Sequence, residues 1–322
     1  MTEHLTRRTT LALATAALAI TAPTMAWAQS DAIRLIVPFA PGGAVDQTGR
    51  TISGALGKAL NTTVVVENKP GASGSLGALE LSRAKPDGKT LMLGLDSQAV
   101  NHLIIKSLPF DTFKSFDYLS LLVTTPQVLV ARNDIPARNL DELVAYLQAH
   151  PEASYGSAGT ASAGHVNSAQ LSLAKGLKNT HIPYKGAAPL VTDLLGGHID
   201  YAFAGLSVML PYIQAGKVRA IAVSSPQRSA KLPDVPAMKE LIPGFEYPTW
   251  IGLVAPAGLP ANTRTRLLEA IRKVMHDPEV VARLQGNAFD VVNNTPEEFT
   301  ARVHQDAKAM GDLVQRKIIK AD

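Results

Sequence analysis

A strand, a glycine turn and a helix start follow one another near the beginning of the chain, and this stretch constrains the fold most. Residues 33–37 are an apolar run rich in β-branched side chains, which predicts a buried strand. Prolines at 38 and 41 stop it, and Gly42-Gly43 permits a sharp turn before a helix predicted from about Ala44–Asp46 to Leu60. Such a turn offers unpaired N–H groups and a positive helix end to an anion. A first strand-to-helix turn that binds nothing has the same pattern, so both interpretations remain open.

The rest of the chain alternates in the same way. Strands are predicted at 63–67, 90–95 and 127–131, with helices between them, and three helices close the chain. Hydrophobic residues make up 46% and aromatic residues 5%, which predicts the Ala/Val/Leu core of an α/β protein. At 322 residues the chain exceeds a typical domain of about 100–150 residues, which predicts two lobes.

The first 28 residues have the features of a secretory signal peptide. Arg7-Arg8 precedes the apolar run 11–20, which is too short to span a bilayer, and Ala26-Trp27-Ala28 is a cleavage signal. The arginine pair resembles a twin-arginine export signal, but Thr10 stands where an aromatic residue is usual, so general secretion remains open. We therefore expect a periplasmic protein, cleaved near Ala28. No later stretch predicts a membrane anchor.

Composition excludes several classes of function. The chain has no cysteine, which rules out disulfides, thiol catalysis, cysteine metal sites and a lipidated cysteine. The net charge of +4 is spread out, which argues against nucleic acid and fits a small anion. The histidines show no metal-binding spacing, so no metal site is predicted. The spacing of Gly71, Gly74 and Gly77 is GxxGxxG rather than GxGxxG, so no dinucleotide or other cofactor is expected.

Polar groups at the ends of strands are the candidate binding residues. Ser97 lies in the predicted loop Asp96-Ser97-Gln98 directly after the strand 90–95, where it could bind a ligand or cap the next helix. The glycine- and hydroxyl-rich loop 155–165 could cradle a carboxylate through its N–H groups, Ser157, Thr160 and Ser162, but it lacks a GxSxG nucleophile motif. His165 fits a capping or packing role better than that of a catalytic base. Lys185 is the cation that we expect nearest an anion, with a solvated surface position as the alternative.

Seven short segments stand out along the chain: VPFAPGG at 37–43 with Asp46, ENKPGA at 67–72, PDGKTL at 86–91, YGSAGT at 155–160 with Gly164-His165, PYKG at 183–186, LPDVP at 232–236 and WIGLVAPAG at 250–258. Their order and spacing cover essentially the whole chain after the signal peptide. Together they resemble one family, the solute-binding receptors of tripartite tricarboxylate transporters, also called Bug receptors.

The resemblance implies a two-lobe periplasmic-binding-protein type II fold, of class α/β, with a ligand cleft between the lobes. Lobe 1 would comprise residues 29–128 plus 250–322 and lobe 2 residues 129–249, with crossing strands near 127–132 and 247–254. In the family, backbone groups and water in two glycine loops hold a carboxylate. Carried over, these are Phe39, Ala40, Pro41, Gly42, Gly43 and Asp46 in lobe 1, and Ser157, Ala158, Gly159 and Thr160 in lobe 2.

One departure from the family bears on the ligand. Many relatives carry an acidic residue shortly after the strand that matches 201–203, where it can face a ligand amine. Here Ala204 and Gly205 begin the corresponding segment, followed by Leu206 and Ser207. We therefore predict a carboxylic or dicarboxylic acid without an amino group. The apolar stretch 202–210 suggests a wall that admits an aromatic or longer aliphatic acid, although the same composition also fits plain core.

Three classes of function compete. The first is a monomeric, non-catalytic receptor that closes on an organic acid and delivers it to the membrane components of a tripartite transporter. The second is a receptor that presents its closed form to a sensor kinase, which the sequence cannot separate from transport. The third is an exported hydrolase that uses His165 with a nearby serine, but no nucleophile, base and acid set is visible.

Overall fold

The computed structural model describes residues 32–245, 247, 249–315 and 319; the predicted signal peptide lies outside them. The chain alternates between strands and helices along most of its length. The strands are β1 Ile33–Val37, β2 Val64–Asn68, β3 Thr90–Leu95, β4 Phe116–Thr125, β5 Gln127–Arg132, β6 Ser154–Ser157, β7 Thr180–Pro183, β8 Tyr201–Gly205, β9 Val218–Val223, β10 Thr249–Pro256 and β11 Asp290–Val291.

Helices connect most of these strands, and three of them follow β10. They are α1 Ala44–Leu60, α2 Ser75–Ser82, α3 Asp96–Ile104, α4 Leu140–Ala149, α5 Ala163–Lys175, α6 Ala187–Leu195, α7 Leu206–Gln214, α8 Met238–Leu241, α9 Ala261–Met275, α10 Pro278–Gly286 and α11 Pro296–Gln315. A short 3-10 turn spans Ala72–Gly74. Asn139 caps α4, since its side chain accepts a hydrogen bond from the Glu142 amide at 2.9 Å.

The first sheet has six strands in the order β11-β4-β10-β3-β1-β2. β1 pairs in parallel with β2 and β3, whereas β10 runs antiparallel to both β3 and β4. Helices cover both faces: α1, α9 and α10 pack on one core and α2, α3 and α11 on the other. Strands buried on both faces read as nearly continuous apolar runs, as β3 does, and β1 departs from this pattern only at Arg34.

The second sheet has five strands in the order β7-β6-β8-β5-β9. β6 pairs in parallel with β7 and β8, and β5 runs antiparallel to β8 and β9. Its faces are covered by α4 and α5 on one side and by α6 and α7 on the other. The α/β class is confirmed, and the fold is that of two sheets that each carry their own helices.

The chain passes between the two sheets at two places. β4 ends at Thr125 in the first sheet and β5 begins at Gln127 in the second, with Pro126 between them. The return falls between Val223, the end of β9, and Thr249, the start of β10. The expected crossing strand at 127–132 thus lies wholly in the second sheet, and the one near 247–254 joins the first sheet only from Thr249 onward; the crossings are the segments next to these strands. The lobe boundaries at 128/129 and 249/250 stay a prediction.

Two local predictions were wrong. β4 was not predicted, although it is ten residues long and pairs with β10 along the whole length of that strand. The segment that follows β3 was expected to be a loop, but Asp96 is the first residue of α3, which begins directly at the end of the strand. Among the described residues, no helix is long and apolar enough to cross a membrane. In the same part of the chain, no cluster of three or more His, Asp or Glu could hold a metal ion.

Candidate ligand-binding cleft

A cavity lies between the two sheets, with a volume of about 520 Å³ when its open mouth is included. Its wall is largely apolar, with a few polar groups from both sheets. From the side of the first sheet the lining residues are Phe39, Gly43, Ala44, Val45, Leu95, Asp96 and Thr249; from the side of the second they are Gln127, Ala158, Ser162, Ala163, Gly164, Ala187, Ala204, Gly205 and Val208.

Five helices begin at this cavity. The lining contains the first residues of α1, α3, α5 and α6 and, at Gly205, the residue just before α7. None of these five helix starts is capped by a side chain, whereas Asn139 and Asp277 cap α4 and α10 elsewhere in the chain. The first N–H groups of a helix have no partner within the helix and carry its positive end. Leu206 uses its N–H for the Pro126 carbonyl, but the convergence leaves the cleft electropositive without a lysine or arginine in its lining.

Asp46 stabilises the first glycine loop, residues 39–43, without lining the cavity. Its Oδ2 accepts hydrogen bonds from the Gly42 amide and from Arg50 Nε, both at 2.9 Å, and its Oδ1 accepts one from Asn68 at 3.0 Å. Burial raises the pKa of Asp46, but the hydrogen bonds from Arg50, Gly42 and Asn68 outweigh it and leave the pKa below its ordinary value. Asp46 is 3% exposed and outside the lining, so the structure gives it a positioning role.

Ser97 also lies outside the lining and fixes a neighbouring turn. Its hydroxyl donates to the Ser73 carbonyl at 3.0 Å, and Asn101 donates to the same oxygen at 3.1 Å. The Ser73 hydroxyl in turn donates to the carbonyl of Thr160 at 2.9 Å. This last bond joins the two sides of the cleft, because Ser73 precedes α2 and Thr160 precedes α5.

The second glycine loop is held by a pair of stacked histidines. His165 and His181 stack with ring centroids 3.8 Å apart, and His181 Nε2 lies 2.7 Å from the Ser157 hydroxyl. His165 Nδ1 accepts the Ala161 amide at 3.0 Å, so its proton is on Nε2. Burial lowers the pKa of His165 to about 3, helped by the charge of His181, and burial lowers that of His181 to about 4. Both rings are therefore neutral at pH 7.

This serine–histidine contact does not form a nucleophile site. The Ser157 side chain is fully buried and donates to the Gly159 carbonyl at 2.9 Å, and neither Ser157 nor His165 lines the cavity. The packing interpretation of His165 agrees with its position in the structure. Its ligand-binding role stays a prediction.

The remaining predicted residues divide into two groups. The structure brings Phe39, Gly43, Ala158, Ala204 and Gly205 together in the lining. Ala40, Pro41, Gly42, Gly159 and Thr160 belong to the same two loops but not to the lining, and Lys185 is exposed. Gly186 is the reason that this turn approaches the first loop, since a Cβ there would lie 3.3 Å from the Ala40 nitrogen. Lys185 itself contributes no charge to the cavity wall.

Sequence reasoning missed most of the wall. Ala44, Val45, Ala163 and Ala187 are first-turn residues of helices, which the uncapped glycine turns could have signalled. Gln127 and Thr249 come from the two crossings, and Gln127 Nε2 donates to Thr249 Oγ1 at 2.5 Å. The apolar stretch 202–210 serves both of its suggested purposes: Ala204 and Val208 line the cavity, while Met209 is buried in core.

One premise about the ligand was wrong. The prediction of a ligand without an amino group assumed that the cleft contains no carboxyl group, because none follows β8. The structure places Asp96 in the lining, from the other side of the cleft. Sequence reasoning passed over it because Asp96 was assigned to a loop in which Ser97 was the expected donor. The ligand class stays a prediction.

Two α/β sheets with their own helices, and a cleft of helix starts between them, define a solute-binding receptor of the periplasmic-binding-protein class. The profile of the tripartite tricarboxylate transporter family receptors matches residues 48–319, so the chain belongs to that family. BugT of Bordetella pertussis is 32% identical over 287 residues, which are 88% of each chain. The family consists of solute receptors rather than enzymes, which confirms the prediction of a non-catalytic protein.

Solved structures agree with this assignment. The periplasmic binding protein BugD is 32% identical with a TM-score of 0.86, covering 90% of this chain and 98% of its own. MatC of Rhodopseudomonas palustris, solved with bound malate, is 28% identical with a TM-score of 0.82, covering 88% of this chain and 98% of its own. The predicted two-lobe periplasmic-binding-protein fold is thereby confirmed.

Proposed function

We propose that this protein is an exported receptor that binds a small organic carboxylate and delivers it to a tripartite tricarboxylate-type membrane transporter. The observation that carries the proposal is the convergence of five helix starts without side-chain caps on one largely apolar cavity. A carboxylate can accept hydrogen bonds from several such N–H groups at once, and the positive helix ends favour its charge. The malate bound by MatC supports the same ligand class.

The apolar part of the wall determines what kind of group the ligand can carry besides its carboxylate. Phe39, Leu95 and Val208 can bury a hydrocarbon chain or ring, while the helix starts hold the charged end. A mono- or dicarboxylic acid, aliphatic or aromatic, fits this division. Export through the amino-terminal signal, action as a monomer in the periplasm and transfer to the transporter are parts of the same proposal.

A charge placed in the wall tests the anion site. Ala158 lines the cavity on the second glycine loop, so Ala158→Asp adds a carboxylate there, and Ala158→Asn adds the same volume without the charge. Because like charges at close range repel by several kcal/mol, we expect Ala158→Asp to weaken binding of a dicarboxylate by roughly 100-fold or more relative to Ala158→Asn. Isothermal titration with malate and succinate measures the ratio.

Equal affinities of the two variants would contradict an anion site at this wall.

The transport step needs a separate measurement in cells. Uptake of the bound acid should be lost on deletion of the receptor gene and equally on deletion of the transporter's membrane components. Uptake that survives deletion of the membrane components would contradict delivery to that transporter.

A further inference from the structure

Asp96 is a carboxyl group in the cleft wall for which the fold provides no well-formed hydrogen bond. It is 1% exposed and begins α3 at the end of β3. Neither of its oxygens makes a hydrogen bond of full geometry with a described residue, although the Ser97 amide and the Thr249 hydroxyl lie near enough to favour its ionised form. A buried polar group without a well-formed hydrogen bond is costly, and one that lines a cavity is available to a ligand atom bound there.

The groups that face Asp96 do not neutralise a negative charge. Asp306 and Arg302 on α11 and Tyr247 before β10 are the ionisable groups nearest to it. Arg302 is already engaged, since its Nε donates to Asp306 at 2.8 Å. The other packed elements, β3, β10 and the turn Ala72–Gly74, carry no ionisable side chain, and Glu80 of α2 pairs with Arg34. An ionised Asp96 would therefore be an uncompensated buried charge beside a second carboxylate.

The protonation state follows from these surroundings. Burial and, after it, the charge of Asp306 raise the pKa of Asp96, while the Ser97 amide, the Thr249 hydroxyl and Arg302 limit the rise, so that the pKa is about 7. A ligand carboxylate held at the helix starts would oppose ionisation again, because two carboxylates close together share one proton. The neutral acid, in contrast, has an O–H group to donate.

We propose that Asp96 determines ligand specificity: as a neutral carboxylic acid it donates a hydrogen bond to a carboxylate of the bound ligand. The inference rests on the proposed function. It assigns to the ligand an acceptor, not an amine, at the position of Asp96. An ammonium group there would need an ionised Asp96 and would face several positive helix ends.

The proposal predicts that binding takes up a proton wherever Asp96 is ionised in the empty cleft. Affinity should then fall as the pH rises above 7, approaching about tenfold per pH unit. His165 and His181, whose pKa values lie at about 3 and 4, stay neutral between pH 5.5 and 8.5 and do not contribute to this slope.

Three acids with the same four-carbon frame serve as probes: succinate, malate and aspartate. We measure their affinities by isothermal titration from pH 5.5 to 8.5 for the exported chain and for Asp96→Asn, Asp96→Ala and the surface control Asp141→Asn. Asparagine keeps a donor but cannot ionise. We expect Asp96→Asn to bind succinate or malate within about threefold of wild type at pH 5.5 and with no pH slope, and Asp96→Ala to bind about tenfold or more weakly.

The outcomes separate the two proposals. A flat pH profile in wild type, or preference for aspartate that is lost in Asp96→Asn, would overturn the role of Asp96 and leave the carboxylate receptor standing. No binding of any acid to wild type, with Ala158→Asn equally inactive, would overturn the proposed function itself.

A ligand-free check is independent of the probe: Asp96→Asn should be more resistant to denaturant than wild type at pH 8 and lose that advantage towards pH 4. Equal resistance at pH 8 would also overturn the proposal.

Discussion

Gly164 and Gly205 both line the cleft, but only Gly164 lies too close to neighbouring backbone to carry a side chain. A Cβ at Gly164 would collide with the Phe203 carbonyl oxygen, whereas one at Gly205 would find ordinary contacts, 3.6 Å from the Ser207 hydroxyl and 3.9 Å from the Ala44 Cβ. Gly205 also has φ −55°, which alanine adopts without strain. The first glycine is needed for folding, and the second keeps space open for ligand.

We predict opposite effects of alanine at these two positions. Gly164→Ala should lower the free energy of unfolding by about 3 kcal/mol, because a backbone atom must move. Gly205→Ala should change it by less than about 1 kcal/mol and weaken ligand binding by roughly threefold to tenfold, since the methyl group takes up cavity space. Urea denaturation and titration calorimetry measure the two quantities. Similar destabilisation by both substitutions would contradict this division.

For single residues, the sequence predicted the chemical type of the side chains better than it predicted which of them face the cavity. The hydroxyl-rich loop and the glycine turn do meet at one cavity, and Asp46 does belong to that turn. Lys185, however, has the right charge and an exposed side chain. Asp96 was hidden because its burial depends on α11, which arrives about 200 residues later in the chain.

At the scale of elements, the loop before α5 is rigid because aromatic rings are stacked beneath it. Tyr155, His181 and His165 form a continuous stack, with centroids 5.0 Å and 3.8 Å apart, and His181 holds the Ser157 hydroxyl. The stack requires neutral histidines, because two cations at this separation repel and burial disfavours the charged form of both rings.

We predict that acid weakens the fold through this stack. The pKa of His181 is about 4 in the folded chain and about 6.5 when unfolded, so the unfolded chain binds the proton first as the pH falls. Stability should therefore be full above pH 6.5 and decline towards pH 4, by on the order of 2 kcal/mol for His181. His181→Gln should remove this contribution, and the exposed His276→Gln should not.

The measurement is the difference in unfolding free energy between each variant and wild type at pH 4.5 and pH 7. Taking differences cancels Asp96, whose raised pKa acts with the opposite sign over the same range. A difference for His181→Gln that does not change with pH would contradict the lowered pKa of this ring, because it would mean that His181 binds a proton equally well in the folded and the unfolded chain.

Elements that pair locally were predicted better than elements that depend on distant partners. α1 and β3 have the predicted bounds, because each follows clear start and stop signals. β4 was missed because its partner β10 lies more than 100 residues away, and Pro126 separates it from β5 by a single residue. The start of α3 was placed too late because the helix begins without a capping residue, which is also what exposes its first turn to the cavity.

At the scale of the whole molecule, the two sides of the cleft touch at the loops. The Ser73 hydroxyl donates to the Thr160 carbonyl, and Ser73 sits at φ 51°, a conformation that favours glycine. A contact made only when the sides are close adds to the stability of the closed form alone.

We predict that Ser73→Gly weakens ligand binding without weakening the fold. Glycine relieves the backbone strain, while loss of the hydrogen bond should lower affinity by about threefold to tenfold, mostly through faster release. Stopped-flow dissociation rates and small-angle scattering with and without ligand measure release and closure. The control Ser53→Gly lies on the outer side of α1. Release as slow as in wild type would show that the contact does not stabilise the closed form.

The helix starts of the cleft have a consequence for how such a receptor can diverge. Backbone N–H groups are present whatever the side chain, so no single substitution short of proline removes one from the anion site that we propose. The wall positions Ala44, Ala204 and Val208 can meanwhile be exchanged for larger or smaller side chains. Ligand selectivity can therefore change by mutation of the wall while the backbone groups at the helix starts stay in place. A library varied at these three positions is the natural starting point for new specificities.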